Sequence, residues 1–285
     1  MTFHQTQFQD QTFYHFELSK ENKITIAKQG GQILSWSCEG VQRLYLSPLN
    51  SWNLSKPIRG GIPICFPQFN LNGSLPKHGF ARIQEWELSP THELNEGLLK
   101  ISLRLASNDR TLAIWPFSFL LTLEIELSMN SLQCRLKVKN LSQDSFKFTT
   151  ALHSYLAIEN LHNISIKGLG NQYFWQNLST YQTLAPDLIR IYGPYDYVFT
   201  SPQNSIYLLS DTSFLKFEQS ESFENIVIWN PGKTAIEIED LPEDDFLKMI
   251  CIEAAQIQKN ITLESNQIWE GYQRITVLNS EVATN

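Results

Sequence analysis

Glu253 follows the apolar run Met249-Ile250-Cys251-Ile252 and precedes two alanines. A carboxylate there closes a strand at the boundary of a core, where burial is costly without a partner. Desolvation also raises a carboxyl group's affinity for protons, which is what a general base needs. The plain alternative is a strand-end Glu that reaches water. His153 lies in Ala151-Leu152-His153-Ser154-Tyr155-Leu156, among apolar residues of an expected strand. A lone His in such a place is more often a hydrogen-bonded core residue than a proton carrier, and a carboxylate facing it would reverse that balance. Asp196, in Tyr195-Asp196-Tyr197, is a second carboxylate, at an aromatic loop edge.

Two further segments carry donors for an anion. Arg59-Gly60-Gly61-Ile62-Pro63-Ile64-Cys65-Phe66-Pro67-Gln68-Phe69 puts an Arg beside two glycines. The glycines allow a sharp turn and close approach of a ligand, and the guanidinium offers a fork of donors to a phosphate. Lys77-His78-Gly79-Phe80-Ala81-Arg82 gathers three basic side chain types around another Gly. With Lys56 and Arg59 these make a local positive pocket in an acidic chain. Each segment also reads as an ordinary turn or solvated loop when taken alone.

These residues need a scaffold, and the sequence describes one. Over 285 residues, 42% are hydrophobic and 12% aromatic, enough for a sizeable core. Period-two alternation marks strands at Leu98 to Leu105, Phe119 to Leu127 and Leu132 to Val138. Further strand-like runs are Ile24 to Ala27, Ile189 to Tyr192, Ile206 to Leu209, Phe214 to Phe217, Ile226 to Trp229, Met249 to Ile252 and Ile268 to Val277. The best helical stretch is Glu237 to Leu247, which Pro242 limits. Many strands and almost no helix predict an all-β protein, a large antiparallel β-sandwich. No linker divides residues 1–285, so a single domain is expected, with a loose polar tail from Ser280 to Asn285. The irregular stretch from Asn50 to His78 is long enough to be functional.

The net charge of −7 and the lack of a basic run argue against nucleic acid as a partner. The four cysteines are widely spaced with no C-x-x-C pair, which predicts buried, reduced thiols and no metal. Met1 to Lys20 lacks the character of a signal peptide, and no apolar run reaches membrane-helix length. A cytoplasmic monomer acting without a membrane is the expectation.

Taken together, RGGIPICFPQF, HGFAR, ALHSYL, IVIWNP and CIEAA, in that order, resemble the glucose-6-phosphate 1-epimerase group of the aldose 1-epimerase superfamily. A closing strand, turn and Trp from Ile261 to Trp269 adds to the likeness, which spans roughly residues 28–277. The resemblance implies a sandwich of the galactose-mutarotase type with a sugar pocket in one curved face. It implies His153 as general acid and Glu253 as general base. It places Arg59 and Arg82 at the substrate's phosphate, and His78 and Asp196 near sugar hydroxyls. It further implies a hexose 6-phosphate as the small-molecule partner, interconverted between its anomers with no cofactor. A bell-shaped pH dependence follows from an acid and a base acting together. The chain departs from the group at Lys77, where Gln is common, at Asn70 in place of Gly, and at Gly232 in place of an aromatic residue. Lys77 adds a cation for the phosphate or alters which hydroxyls are read. The rival readings are a mutarotase for unphosphorylated aldoses and a carbohydrate-binding protein without catalysis. Neither a binding protein nor a β-sandwich used only for protein contacts needs both His153 and Glu253.

Overall fold

The computed structural model describes residues 2–90, 93–95, 97–202, 204–211 and 213–279. The polar tail at 280–285 lies outside the described residues. The remainder forms three antiparallel sheets of five, ten and eight strands. The five-stranded sheet is a meander of Thr2–Phe8, Gln11–Glu17, Lys23–Ala27, Ile33–Cys38 and Val41–Gln42. The alternating runs found in the sequence make the centre of the ten-stranded sheet. There Ile268–Leu278, Ser131–Asn140, Phe119–Leu127 and Leu98–Ala106 lie side by side. Phe119–Leu127 shows the reason: every second residue from Phe119 to Leu127 is buried, and Glu124 and Glu126 on the other face pair with Lys137 and Lys100.

The eight-stranded sheet reads differently. Met249–Leu263 is its long central strand, flanked by Asn225–Asn230 and Phe146–Leu152. Its first eight residues are all buried, so no alternation survives. One face packs on the main core through Ile250, Ile252 and Ala254. The other is roofed by chain from the Tyr45–Phe69 and Ala235–Leu241 regions, which pack on Cys251 and Ala255. Glu253 is therefore the fifth residue of a fifteen-residue strand, not its end, and it is 1% exposed. The sequence suggests a boundary there because the strand's polar second half, from Gln258 onward, masks its continuation.

Other expectations shift too. Glu237 to Leu247 is not an α-helix. It holds parts of two 3-10 helices, Gly232–Glu237 and Glu243–Lys248, on either side of the strand-like backbone at Pro242. The α-helix among the described residues is Asp109–Ile114, whose start is capped by the Asn108 side chain. Strand pairing at Ile189 to Tyr192 is confined to Leu188–Ile189. The first hairpin, Thr2–Phe8 with Gln11–Glu17, is not foreseen by the sequence pattern. Among the described residues no helix is long and apolar enough to cross a membrane. All four cysteines are buried and free.

Phe66 anchors an aromatic knot of Phe80, Trp115, Phe119 and Phe148, with ring centroids 5.3 to 6.2 Å away. Phe66 and Phe80 thus belong to the core. Phe66→Ala is expected to cost about 3–5 kcal/mol, because the rigid surroundings cannot fill the void. Urea unfolding with an unchanged m-value measures it, and a loss under about 1 kcal/mol would mean the knot relaxes.

Candidate active site

The site is built where the ladder between Phe146–Leu152 and Met249–Leu263 breaks. Leu152 lies opposite Ala254, and pairing resumes with Tyr155 opposite Cys251. The register is kept across the gap, so His153 falls opposite Glu253 and Ser154 opposite Ile252. On the other side of Met249–Leu263, Val227 pairs with Glu253 and Trp229 with Cys251. Asp196 in turn pairs with Trp229. Cross-strand partners share a face, so His153, Glu253, Trp229 and Asp196 all point to the roofed side.

The glycine-rich segment pins this break in place. Tyr155 N–H donates to the Gly61 carbonyl at 2.9 Å and His153 N–H to the Pro63 carbonyl at 3.0 Å. Close backbone approach is the reason for Gly61. At its φ of +63° an added Cβ would lie 2.1 Å from the Ile33 carbonyl oxygen. The neighbour that needs the space is the protein's own backbone, not a ligand as the sequence suggested.

The result is a small cavity on the covered face of the sheet. His153, Glu253, Asp196, His78, Lys77 and Arg59 all line it, together with Tyr155, Asn177, Asn70 and Trp229. Arg82 is not part of the lining. Its Nη2 donates to the Lys77 carbonyl at 2.8 Å, which ties it to the cavity's rim.

His153 Nε2 stands 3.4 Å from Glu253 Oε1. His153 Nδ1 and Glu253 Oε2 are buried and have no partner in the protein. Such atoms are rare in folded proteins and point to a polar group that binds there. The His153 ring is held flat against Tyr155, with centroids 4.7 Å apart and planes 9° apart. Burial, then the charges of Arg82 and Arg59, push the proton affinity of His153 well below its usual 6.5. Burial, then the charge of Asp196, push that of Glu253 well above its usual 4.5. Both groups therefore favour their neutral forms, and the pair holds one proton.

His78 is buried with φ +64°. Its Nδ1 accepts the Asn70 backbone N–H at 3.2 Å, and the Cys65 sulfur lies 3.3 Å from the same atom. Burial, then the neighbouring His153, keep the ring neutral. Since a backbone N–H can only donate, the His78 proton is on Nε2, making that nitrogen a donor. Asp196 Oδ2 accepts from Asn177 Nδ2 at 3.3 Å, and burial raises its proton affinity.

The cations differ in what they have left to offer. Arg59 donates through Nε to Asp240 at 3.0 Å, reaches the same carboxylate through Nη2 at 2.9 Å, and donates through Nη1 to the Tyr155 hydroxyl at 3.1 Å. Lys77 is exposed and has no acidic partner among the described residues. Tyr155, Asn177 and Asp240 are site residues that the sequence alone does not single out. The signal for Tyr155 is its place in Ala151-Leu152-His153-Ser154-Tyr155-Leu156, two residues past His153. Nothing in the acidic run around Asp240 marks it as the partner of Arg59. Among the described residues no cluster of His, Cys, Asp and Glu is arranged to hold a metal ion.

Beside this geometry, the sequence profile of the aldose 1-epimerase family matches residues 14–276. The chain belongs to the aldose 1-epimerase family. The match starts within the second strand of the first hairpin, ahead of the 28–277 expected from motifs. A curated relative from Cenchrus ciliaris, provisionally named a glucose-6-phosphate 1-epimerase, is 31% identical over 256 residues. It spans 85% of this chain and 77% of its own length. One from Escherichia coli K12, with the same provisional name, is 29% identical over 240 residues, 82% of this chain and 79% of its own. Among solved structures, a provisionally named mutarotase from Salmonella typhimurium superposes with a TM-score of 0.88 at 24% identity, covering 97% and 94% of the two chains. A galactose 1-epimerase from Lactobacillus acidophilus superposes at 0.75 with 14% identity, covering 97% and 98%. These likenesses establish the mutarotase-type sandwich. Within this aldose 1-epimerase family member, the paired His153 and Glu253 lie in the roofed cavity of the eight-stranded sheet.

Proposed function

We propose that this protein interconverts the α and β anomers of a hexose 6-phosphate, glucose 6-phosphate being the first to test. The observation that carries the reading is His153 facing Glu253 at 3.4 Å in a cavity with an unpaired cation, Lys77, at its rim. Glu253 takes the proton from the anomeric hydroxyl while His153 gives one to the ring oxygen. The C1–O5 bond breaks and C1 becomes an aldehyde. Rotation about C1–C2 and reversal of both transfers close the ring on the other face. In this reading His78 Nε2 and Asp196 hold sugar hydroxyls, and Lys77 with Arg82 meets the phosphate. Hexose phosphates are retained inside cells, so a cytoplasmic location goes with this reading.

The electrostatics suit the intermediate. While the open aldehyde is bound, Glu253 carries the proton and His153 is neutral. That is the state burial favours in both groups. The site is thus matched to the high-energy species more than to the closed sugar, as rate acceleration requires.

The pH dependence follows. Unperturbed groups would give a narrow bell, between 4.5 for the Glu and 6.5 for the His. Here His153 gains a second proton only well below 6.5, and Glu253 loses the shared one only well above 4.5. His153 then sets the acid limb and Glu253 the alkaline limb, and kcat is expected to fall at both ends of the pH range. A kcat profile that falls at neither end would defeat this account of the pair.

The direct test is NMR exchange between glucose 6-phosphate anomers, with wild type beside His153→Ala. Acceleration over buffer that is lost in the variant supports the reading. A folded wild type that accelerates neither glucose, mannose nor galactose 6-phosphate would sink it.

A further inference from the structure

Strand Ile268–Leu278 turns Gly271, Gln273, Ile275 and Val277 inward. Gln273 is the polar member of that row and is 3% exposed. An amide buried there is tolerated only if both its ends are bonded. Gln273 Oε1 accepts from the Ser154 hydroxyl at 2.6 Å, and Nε2 donates to the Ile252 carbonyl at 3.0 Å. These partners are the chain neighbours of His153 and Glu253.

A regular antiparallel pair at Ser154 and Ile252 would exchange two N–H···O bonds. Ile252 N–H does donate to the Ser154 carbonyl, at 3.2 Å. Ser154 N–H instead turns back to the Leu152 carbonyl, at 3.0 Å. The Ile252 carbonyl thereby loses its ladder donor, and the Gln273 amide supplies another from the opposing sheet. The Ser154 hydroxyl, itself fully buried, closes a ring of three hydrogen bonds. Side chains alternate across a sheet, so this ring sits on the core face directly behind the His153–Glu253 pair.

We infer that Gln273 is a positioning residue, whose amide replaces the missing ladder bond at the break and so fixes how His153 faces Glu253. The inference rests on the reaction proposed above. Gln273 touches no substrate. It acts through the two backbone segments, where a misplacement of about 1 Å in the reacting groups costs up to about 10²-fold in rate.

The test compares Gln273→Met, Ser154→Ala and the double variant. It measures kcat and KM for anomer exchange and the ring ¹⁵N signals of His153 across pH. Each single variant is expected to lose about 10-fold or more in kcat. KM should stay within about twofold, since ground-state sugar contacts are untouched. The double variant should be no slower than Gln273→Met, because the bonds work as one unit. The His153 signals should move from their wild-type positions. A folded Gln273→Met with wild-type kcat and wild-type His153 signals would overturn the inference, as would fully additive losses. If wild type turns over no hexose phosphate, the proposed reaction fails and the His153 signals decide alone. Displaced signals in the variants uphold the positioning role, and unchanged ones overturn it. Should Gln273→Met not fold, Ser154→Ala removes only one hydroxyl and carries the same test.

Discussion

Glu253→Gln is expected to lower kcat for anomer exchange by about 10³-fold while making the fold more stable at alkaline pH. The rate loss follows from the role of the residue, since a positioned acid or base contributes roughly 10²–10⁴-fold and an amide cannot take a proton. Gln keeps the shape and one acceptor, so the cavity survives. The stability change follows from burial. The folded protein holds the Glu253 proton more tightly than the unfolded chain does. That contribution is fully present below the unfolded value near 4.5 and is lost as pH rises through the folded one. Gln has no proton to lose. The melting temperature of the variant should therefore gain on wild type as pH rises from acid to alkaline. His153 works the other way: its depressed proton affinity lends stability above 6.5 that fades as pH falls, and this limb should be common to both proteins. Thermal melts over pH separate the two. Parallel pH curves would mean Glu253 is not held protonated, and a rate within about 10-fold of wild type would remove it from proton transfer.

How far the sequence reaches is clearest in this same strand. The types were legible: an acidic residue after an apolar run, a His among apolar neighbours, basic residues around glycines. Period two marked Phe119–Leu127 and Ser131–Asn140, because one face of each is solvated and the alternation is visible. Met249–Leu263 hid its length, because its first half is covered on both faces and its second half is polar. That His153 faces Glu253 is a matter of register between strands a hundred residues apart, and no local pattern encodes register. The ring formed by Gln273 was equally invisible. A Gln at an inward position looks like an error in the alternation until its partners on another sheet are known. The first hairpin is hidden because Thr2–Phe8 is exposed along its whole length and so carries no apolar signal. Arg59 shows the opposite case, a legible type with an illegible partner. Its type and its place beside two glycines suggested a free phosphate ligand, whereas Asp240, far along the chain, already occupies much of its fork.

Lys77→Glu is therefore the sharper probe of phosphate recognition, expected to cut kcat/KM for glucose 6-phosphate by about 10²-fold and to leave turnover of free glucose almost unchanged. Charge-assisted bonds are worth about 1.5–3 kcal/mol, or roughly 10- to 100-fold, and reversal adds repulsion to the loss. Arg59→Ala would be harder to read, since it strands the Asp240 carboxylate and one bond of the Tyr155 hydroxyl that stacks on His153. Lys77 has no such partner to strand, and its exposure makes the fold tolerant of the change. Exposure also means that salt screens the interaction, so the gap between wild type and variant should narrow as ionic strength rises. The same substitution reaches the proton pair. Lys77 helps depress the proton affinity of His153, so placing a carboxylate there should move the acid limb of the kcat profile to higher pH. Loss of phosphate preference together with that shift would tie recognition and proton transfer to one cavity. Equal losses for glucose and glucose 6-phosphate would place the phosphate elsewhere and return the free-aldose reading to first place.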